Sequence, residues 1–414
     1  MTDAARRAPI GERIKAAALH CGTAVLNVFR IARAGREMRR CDALHRAHPH
    51  DGPIRVGFIA QMPEVWDKQM GLFQTMLEDP RFEPGVLYVK PYDIVRQKIT
   101  DDDSRDRDFY VSACGAEHVT DWFGDETPDL DQYDYLFYDR PYNHYLPEAL
   151  QTTRAVSHAR LCMINYGADD WEMPFLYTDF AMGIRLWFAS NTHESVIHQA
   201  VFGRSRYHRV FDVGYPAFDL YHALDSVPGK NRILWTPRWS YDAEVGGSHF
   251  FEYVHQMIDF AKAHPVTLVM RPHPLMFDNL VSKGLMTEEE VRALKQRCAE
   301  AGIRFDANRV VADTFRETDI LVSDYSSILG LFMATGKPVI YCPSGIPLND
   351  ECRQLTDAMY PAESWEALEQ ALNQLIAGED PMKEKRRQAV SRTVLKKQHA
   401  AAAIADIIYR DYAG

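Results

Sequence analysis

The sequence predicts an α/β protein built on two parallel sheets, and two observations carry that expectation. First, short apolar runs rich in branched and aromatic residues recur along the chain, among them IRVGFIA (54–60), YDYLFY (133–138), VTLVM (266–270), ILV (320–322) and PVIYC (338–342). Each is too short for a helix and is bounded by small polar residues or proline, which reads as a buried strand. Second, segments with helical spacing of apolar residues lie between these runs, at 66–77, 249–263 and 328–333. Strands alternating with helices imply a parallel sheet covered on both faces. The 414 residues, at about 150 residues per domain, allow two or three domains.

The amino-terminal segment, 1–50, stands apart by charge. Residues 1–49 hold ten Lys/Arg against four Asp/Glu, a net +6, whereas the whole chain carries −11 and the remainder therefore −17. Leu19, Val25, Leu26, Val28, Phe29 and Ile31 alternate with arginines, the pattern of a basic amphipathic helix lying on an anionic membrane surface. An ordinary helix packed on the first domain is the alternative. The apolar part is interrupted by polar residues and no cleavage site follows, so a signal peptide is not expected. No apolar run reaches the roughly 18 residues of a membrane span. The seven cysteines are scattered without CxxC spacing, which suggests neither a disulfide framework nor a zinc site and fits a reducing cytosol. The acidic body argues against nucleic-acid binding. The expected location is cytoplasmic, with peripheral attachment to the inner face of the membrane.

The first domain is expected over 51–227. Strands are read at 54–60, 85–90, 133–138, 159–165 and 186–190, helices at 66–77 and 194–202, and a charge-dense loop without visible chemistry at 98–107. Asp139 follows one strand directly, with His144 further along the same loop; Tyr166, Gly167, Asp169 and Asp170 follow the next. Pro228-Gly229 interrupts the pattern at 226–230, where a hinge is expected. The second domain, 228–380, opens with the strand at 233–235 and the loop Thr236-Pro237-Arg238-Trp239. The strand 266–270 runs into Arg271-Pro272-His273-Pro274, and a charged outer helix is read at 287–301. The strand 320–322 breaks at Ser323-Asp324-Tyr325-Ser326-Ser327 before an apolar helix that stops near Gly336. Helices at 364–377 and 381–412 close the chain.

In an open parallel sheet, ligands bind outside the carboxyl ends of the strands. His273 and the hydroxyls of Ser326 and Ser327 are therefore expected to face one crevice. A helix start presents free N–H groups and positive partial charge, which suits a phosphate. The simpler role for Asp324 or a serine is to cap that helix. Arg238 and Arg271 are candidate phosphate clamps, with ordinary salt bridges as the competing role. No metal-ligand constellation is visible.

RPHP, SDYSS with its apolar helix, and GKPVIY resemble the carboxyl-terminal half of the CDP-glycerol glycerophosphotransferase family, whose members build teichoic-acid-type surface polymers. ILWTPRW (233–239), VGYPAFDLY (213–221) and VWDKQMGLFQTMLEDPRFEP (65–84) resemble further pieces of such proteins, in order. The resemblance implies a GT-B fold: two Rossmann-like domains facing a central cleft, with a last helix, 381–414, crossing back to the first. It implies a cytidine-nucleotide donor, CDP-glycerol or a relative such as CDP-ribitol, on the second domain. A polysaccharide or lipid-linked acceptor would face the first, and no cofactor is expected. An acceptor hydroxyl would attack the β-phosphorus and release CMP. His273 would stabilise or protonate that leaving group, while Ser326, Ser327, Thr236, Asp324, Arg238 and Arg271 would surround the phosphates.

One departure from the family stands out. Better-known members carry a Trp-His-Gly-like turn whose histidine is taken as the base; here the place is held by Asn165-Tyr166-Gly167. A phenol with a pKa of about 10 is a poor base at neutral pH. Asp139, ranked first, with Asp169, Asp170 and His144, are the alternatives, unless leaving-group stabilisation at His273 drives the reaction alone. A CMP-sugar-dependent capsule glycosyltransferase for sialic acid or Kdo, a non-hydrolysing nucleotide-sugar 2-epimerase, and a catalytically inactive binding subunit are the rival readings.

Overall fold

The computed structural model describes residues 10–90, 92–93, 98–99, 105–122, 129–165, 174–227, 229–241, 247–273, 275–346 and 348–414. Two open parallel sheets carry the chain, each in a Rossmann-like α/β layer arrangement, so the GT-B architecture expected from the sequence is the one present. In chain order the strands are β1 (Ile54–Ala60), β2 (Phe82–Val89), β3 (Tyr92–Asp93), β4 (Lys98–Ile99), β5 (Val119–Trp122), β6 (Tyr135–Tyr138), β7 (Arg160–Ile164), β8 (Leu186–Ala189) and β9 (Arg209–Asp212). The second series is β10 (Arg232–Thr236), β11 (Thr267–Met270), β12 (Arg304–Phe305), β13 (Ile320–Asp324), β14 (Val339–Cys342) and β15 (Tyr360–Pro361). The first sheet is ordered β5-β2-β1-β6-β7-β8-β9 and the second β12-β11-β10-β13-β14-β15; β3 and β4 form a small antiparallel pair. Strand order reverses between β1 and β6, and again between β10 and β13. These are the switch points where a parallel sheet leaves a crevice at its carboxyl edge.

Strands β6, β8, β13 and β14 are buried at every residue, as strands covered on both faces must be. The ring of Phe137 stacks on Phe58 at 5.1 Å and on Phe188 at 5.9 Å. Phe137 is paired in register with Cys162 of β7, and Phe188 of β8 is paired with Ile164 of the same strand. Beyond the two-residue strands, two strands of the first sheet lacked an apolar run to announce them. These are β5 (VTDW) and β9 (RVFD), the two edges of the first sheet, where half-exposed residues alternate with buried ones or dominate. The helix Arg105–Cys114 begins inside the stretch read as a loop, with only Tyr110 and Cys114 buried. The closing stretch is two helices rather than one, Lys383–Arg392 and Ala400–Ala413, with His399 in the left-handed region at φ 60° between them.

The amino-terminal helix, Ile10–Ala47, is docked on the first domain. Ala34, Met38 and Cys41 are buried in its outer core. Asp42 receives Arg185 at 2.6 Å and Arg160 at 3.5 Å. Beyond the helix, Asp134, 1% exposed, accepts from the Arg55 backbone at 2.8 Å and pairs with His50 at 2.9 Å and His45 at 3.3 Å. Burial alone would raise this carboxyl; the bonds from His45, Arg55 and His50 outweigh it and hold the group well below the usual carboxylate range.

The two domains meet on the helix Pro216–His222, which packs against both Asp67–Leu77 of the first and Ser327–Ala334 of the second. Tyr221 packs its ring on Phe315 at 5.2 Å and donates its hydroxyl to Asp67. Val227 N donates to Arg316 O at 3.1 Å; Pro228, the other half of the expected hinge signal, lies outside the described residues. The final helix returns to the first sheet. Asp411 accepts from Tyr135 at 2.8 Å and from Arg209 at 2.5 Å, and Arg81 reaches Asp406 at 3.0 Å.

Asp67 is 5% exposed, and its Oδ1 is buried without a hydrogen-bond partner among the described residues. Burial pushes its pKa up to about 6 against the pull of the Tyr221 hydroxyl. The folded chain therefore keeps a proton that the unfolded chain, with a pKa near 3.8, has released. Stability should fall as pH rises through this window, by about 3 kcal/mol in all. Asp67→Asn removes the charge and keeps an acceptor for Tyr221. Its urea midpoint should exceed that of the wild type at pH 7.5 and converge with it at pH 4; equal midpoints at both values would show that the carboxylate carries no burial cost.

Candidate active site

At the carboxyl edge of the second sheet, Thr236 and Ser323 face each other in register. Thr236 Oγ1 donates to Ser323 Oγ at 2.6 Å, and Ser323 donates on to the Asp324 carbonyl at 2.7 Å. Both hydroxyls are buried. Thr236 is thus a spacer locked beneath the crevice, and its hydroxyl is engaged by Ser323 rather than turned to a ligand. Ser326 Oγ stands 3.5 Å from Ser323 Oγ. Ser326 precedes the helix Ser327–Ala334 in extended conformation and makes no side-chain cap bond, while Ser327 is exposed. The first turn of that helix therefore keeps backbone donors for an anion.

Asp324 does not cap the helix. Its carboxylate, 2% exposed, accepts from Arg238 N at 2.9 Å, Ser248 Oγ at 2.9 Å and His249 N at 3.3 Å, and pairs with His249 Nδ1 at 2.8 Å. A buried carboxylate held by this many donors organises the loop after β10 and the start of the helix Phe250–Ala263. Arg238 also wraps toward β13, with Nη1 donating to the Tyr325 carbonyl at 2.7 Å.

His273 follows β11 and is exposed. Its Nδ1 accepts from Leu275 N at 3.2 Å, which leaves the proton of the neutral ring on Nε2. Trp239 lies across from it, ring centroids 6.1 Å apart. The protein mass around the ring, and then the positive charge of Arg238, push its pKa down to about 4. At neutral pH it is an uncharged donor, not a proton source. Arg271 is taken by Asp306 at 2.5 Å and by the Asn308 carbonyl at 2.7 Å. Asp306 also accepts from Thr314 at 2.6 Å. This is the salt bridge of the two roles open to Arg271. Pro274 lies outside the described residues.

At the carboxyl edge of the first sheet, Asp139 is 2% exposed. It accepts from Gln61 N at 3.0 Å, with Arg140 Nε 3.8 Å away. Lys68, 1% exposed, donates to the carbonyls of Asp139 at 2.6 Å and Ile164 at 2.9 Å, clipping the ends of β6 and β7 together. Asp139 is accordingly a tie between β1 and β6, buried where an open base was expected. His144 is exposed on the short turn Asn143–Tyr145, its ring 4.3 Å from Tyr145 and 5.5 Å from Tyr142. Tyr166, Gly167, Asp169 and Asp170 lie outside the described residues.

His273, Ser326 and Ser327 thus share the carboxyl edge of β11 and β13, the two strands that flank β10, with Arg238 behind them. Sequence reasoning missed Ser323, Lys68 and His249. A lysine flanked by Asp67 and Gln69 gives no sign of burial, and His249 shows its role only through Asp324, 75 residues away. Among the described residues no cluster of His, Cys, Asp or Glu could hold a metal ion.

A family model described as CDP-glycerol:poly(glycerophosphate) glycerophosphotransferase matches residues 179–408. No curated protein matches the chain. Among solved structures, the wall teichoic acid polymerase TagF superposes with a TM-score of 0.52 at 13% identity, covering 98% of this chain and 98% of that one. A UDP-N-acetylglucosamine 2-epimerase gives 0.57 at 12%, over 87% and 97% of the two chains. The UDP-GlcNAc 2-epimerase of Neisseria meningitidis bound to UDP-GlcNAc gives 0.56 at 10%, over 86% and 100%. At these identities the likeness establishes the fold.

The partners of Arg271 yield a test that separates structure from substrate binding. Arg271→Ala strands the buried Asp306 and should lower unfolding stability by roughly 3 kcal/mol or more, read as a shifted denaturant midpoint. A pure phosphate clamp would leave the midpoint where it is and change only substrate affinity.

Proposed function

The chain belongs to the CDP-glycerol:poly(glycerophosphate) glycerophosphotransferase family and is a transferase; from that premise we propose that it moves glycerol phosphate, or a related polyol phosphate, from its cytidine diphosphate carrier. The acceptor is a hydroxyl on a cell-envelope polymer or its lipid-linked precursor, and CMP is released. The observation that carries this reading is the convergence of His273, Ser326, Ser327 and an uncapped helix start on one edge of β11, β10 and β13. In the proposed reaction the acceptor oxygen attacks the β-phosphorus. The bond from that phosphorus to the bridging oxygen breaks, and its electron pair leaves on CMP. Preorganised donors around the phosphoryl oxygens supply most of the rate. Ser326, Ser327 and the helix N–H groups are proposed to hold the diphosphate, and His273 to donate Nε2–H to it. The hydroxyl proton is proposed to leave by way of Asp169, Asp170 or His144. Asp139 is less suited, because Gln61 already holds its carboxylate at 3.0 Å.

A panel of CDP-glycerol, CDP-ribitol, CMP-sugars and UDP-GlcNAc, followed for CMP or epimer formation, tests the reading against the capsule-transferase and epimerase alternatives. His273→Ala should keep a wild-type unfolding midpoint and lose at least about a hundredfold in CMP release. Near-normal turnover would remove His273 from the site; epimer without CMP would replace the reaction class.

We further propose peripheral attachment to an anionic membrane on its cytoplasmic face. Support comes from the face of the first helix opposite its docked side. There Phe29, 69% exposed, precedes the exposed Arg33, Arg36 and Arg40 at one-turn spacing, and Leu26 and Val28 lie exposed beside them. Among the described residues no helix is long and apolar enough to cross a membrane. Apolar insertion and about 1 kcal/mol per basic residue would add up to useful binding. Changing Leu26, Val28 and Phe29 together to serine should weaken binding to phosphatidylserine vesicles about tenfold or more, and raising salt should weaken what remains. Unchanged binding would mean that the helix serves only to dock on the first domain.

A further inference from the structure

Two histidines border the crevice, and their surroundings act on them in opposite senses. His273 is kept neutral by crowding and by Arg238. His249 stands at the start of the helix Phe250–Ala263, and its Nδ1 lies 2.8 Å from Asp324 Oδ1. One ring face is closed by Tyr253, parallel within 11° at 5.4 Å. With Nδ1–H directed at the carboxylate and one face covered, the ring has a single orientation. Its remaining polar atom, Nε2, lies on the edge away from Asp324. The side chain is 18% exposed, so a ligand can reach it. Asp324 is the last residue of β13 and holds the backbone of Arg238, which follows β10, through its other oxygen. His249 therefore sits over the switch point between β10 and β13, and its partner Asp324 lies two residues before Ser326 at the helix start.

We propose that His249, oriented by Asp324, is a catalytic residue of the transfer: it presents Nε2–H to the cytidine-side phosphate oxygen that receives the electron pair as the bond to the β-phosphorus breaks. This deepens the phosphotransfer reading and rests on it. The acceptor oxygen forms the new bond to phosphorus, its proton leaves to a base or water, and the imidazolium proton either stays shared with the CMP oxygen or passes to it. His273 then serves as a neutral donor to the same diphosphate.

The charged and titratable groups about His249 are consistent with that role. Asp324 from β13 and Glu252 from its own helix favour the imidazolium, and together they outweigh the opposing effect of burial. Arg238 contributes positive charge from the loop after β10. Burial pushes the phenol of Tyr253, beside it, well above its usual value so that it stays uncharged, as does the buried thiol of Cys342 on β14. A raised histidine is protonated below its folded pKa and loses the proton above it. Activity should therefore fall on the alkaline side.

The test is the pH dependence of CMP release from CDP-glycerol by the full-length wild type, His249→Gln, His273→Gln and Asp324→Asn. Nitrogen NMR of the wild-type histidines with CDP bound accompanies it. His249→Gln should lose about a hundredfold in kcat, keep CDP binding, and lack the alkaline limb that His273→Gln retains. Asp324→Asn should move that limb to lower pH. The NMR should show His249 keeping its proton to higher pH than His273 and its Nε2 shifted by CDP, a readout that holds even if a variant folds poorly. A wild-type rate or an intact alkaline limb in His249→Gln overturns the inference, as does a His249 that loses its proton no later than His273 and is insensitive to CDP. A wild type that binds CDP but releases no CMP from CDP-glycerol overturns the phosphotransfer reading as well.

Discussion

A single buried carboxylate at the end of β13 sets the geometry of the crevice. Asp324 lies where two strands part company at the sheet's switch point, and an isolated charge there would cost several kcal/mol. Four donors from two separate segments offset that cost: Arg238 N, Ser248 Oγ, and the backbone and ring of His249. Each donor is thereby held in place, so the loop after β10 and the start of the next helix are fixed relative to β13. The Thr236–Ser323 bond underneath performs the same service for the strand ends. The walls of the crevice follow from satisfying one charge.

The first sheet solves the corresponding problem with a cation. Lys68, buried at the start of the helix after β1, donates to the carbonyl just past the end of β6 and to the last carbonyl of β7. Asp139 and Gln61 bind β6 to β1 on the same edge. Between the two edges stands the helix Pro216–His222, and the final helix straps the first sheet through Asp411 and Asp406. Tyr221 belongs to both stories, since its ring packs on Phe315 of the second domain while its hydroxyl meets Asp67 of the first. A change in the angle between domains has to move this buried pair, so the protonation of Asp67 is coupled to the seam.

The strands of both sheets were largely legible, because a strand buried on both faces must be a continuous apolar run, and YLFY, ILV and VIYC are such runs. The edge strands β5 and β9 were not, since one-sided exposure admits aspartate and arginine and erases the run. The strand-end residues His273, Ser326 and Ser327 were legible for a topological reason, as parallel strands place whatever follows them on one edge. Their chemical states were not. Whether Arg271 faces a phosphate or Asp306 depends on a partner 35 residues away, and whether Asp139 is open or buried depends on the turn after β1. Local sequence carries neither fact.

The distribution of charge along this edge has a consequence for how an anion is received. Arg271 is neutralised by Asp306, Arg238 is held to β13 by its backbone and by a carbonyl, and His273 is uncharged. In the proposed reaction a diphosphate entering the crevice would meet, beside the Arg238 guanidinium, mostly neutral donors: hydroxyls, an imidazole N–H and the first turn of a helix. Such donors hold an anion by hydrogen bonds of fixed direction, which favours one placement over strong but unspecific attraction. They do little, however, for the additional charge that develops on a departing phosphate. In the proposed reaction that demand would fall on the groups of the edge that can be cations, Arg238 and His249. His249 has its counter-charge behind it, on Nδ1, and its open nitrogen in front. The same carboxylate that builds the crevice thus also determines where positive charge is available within it.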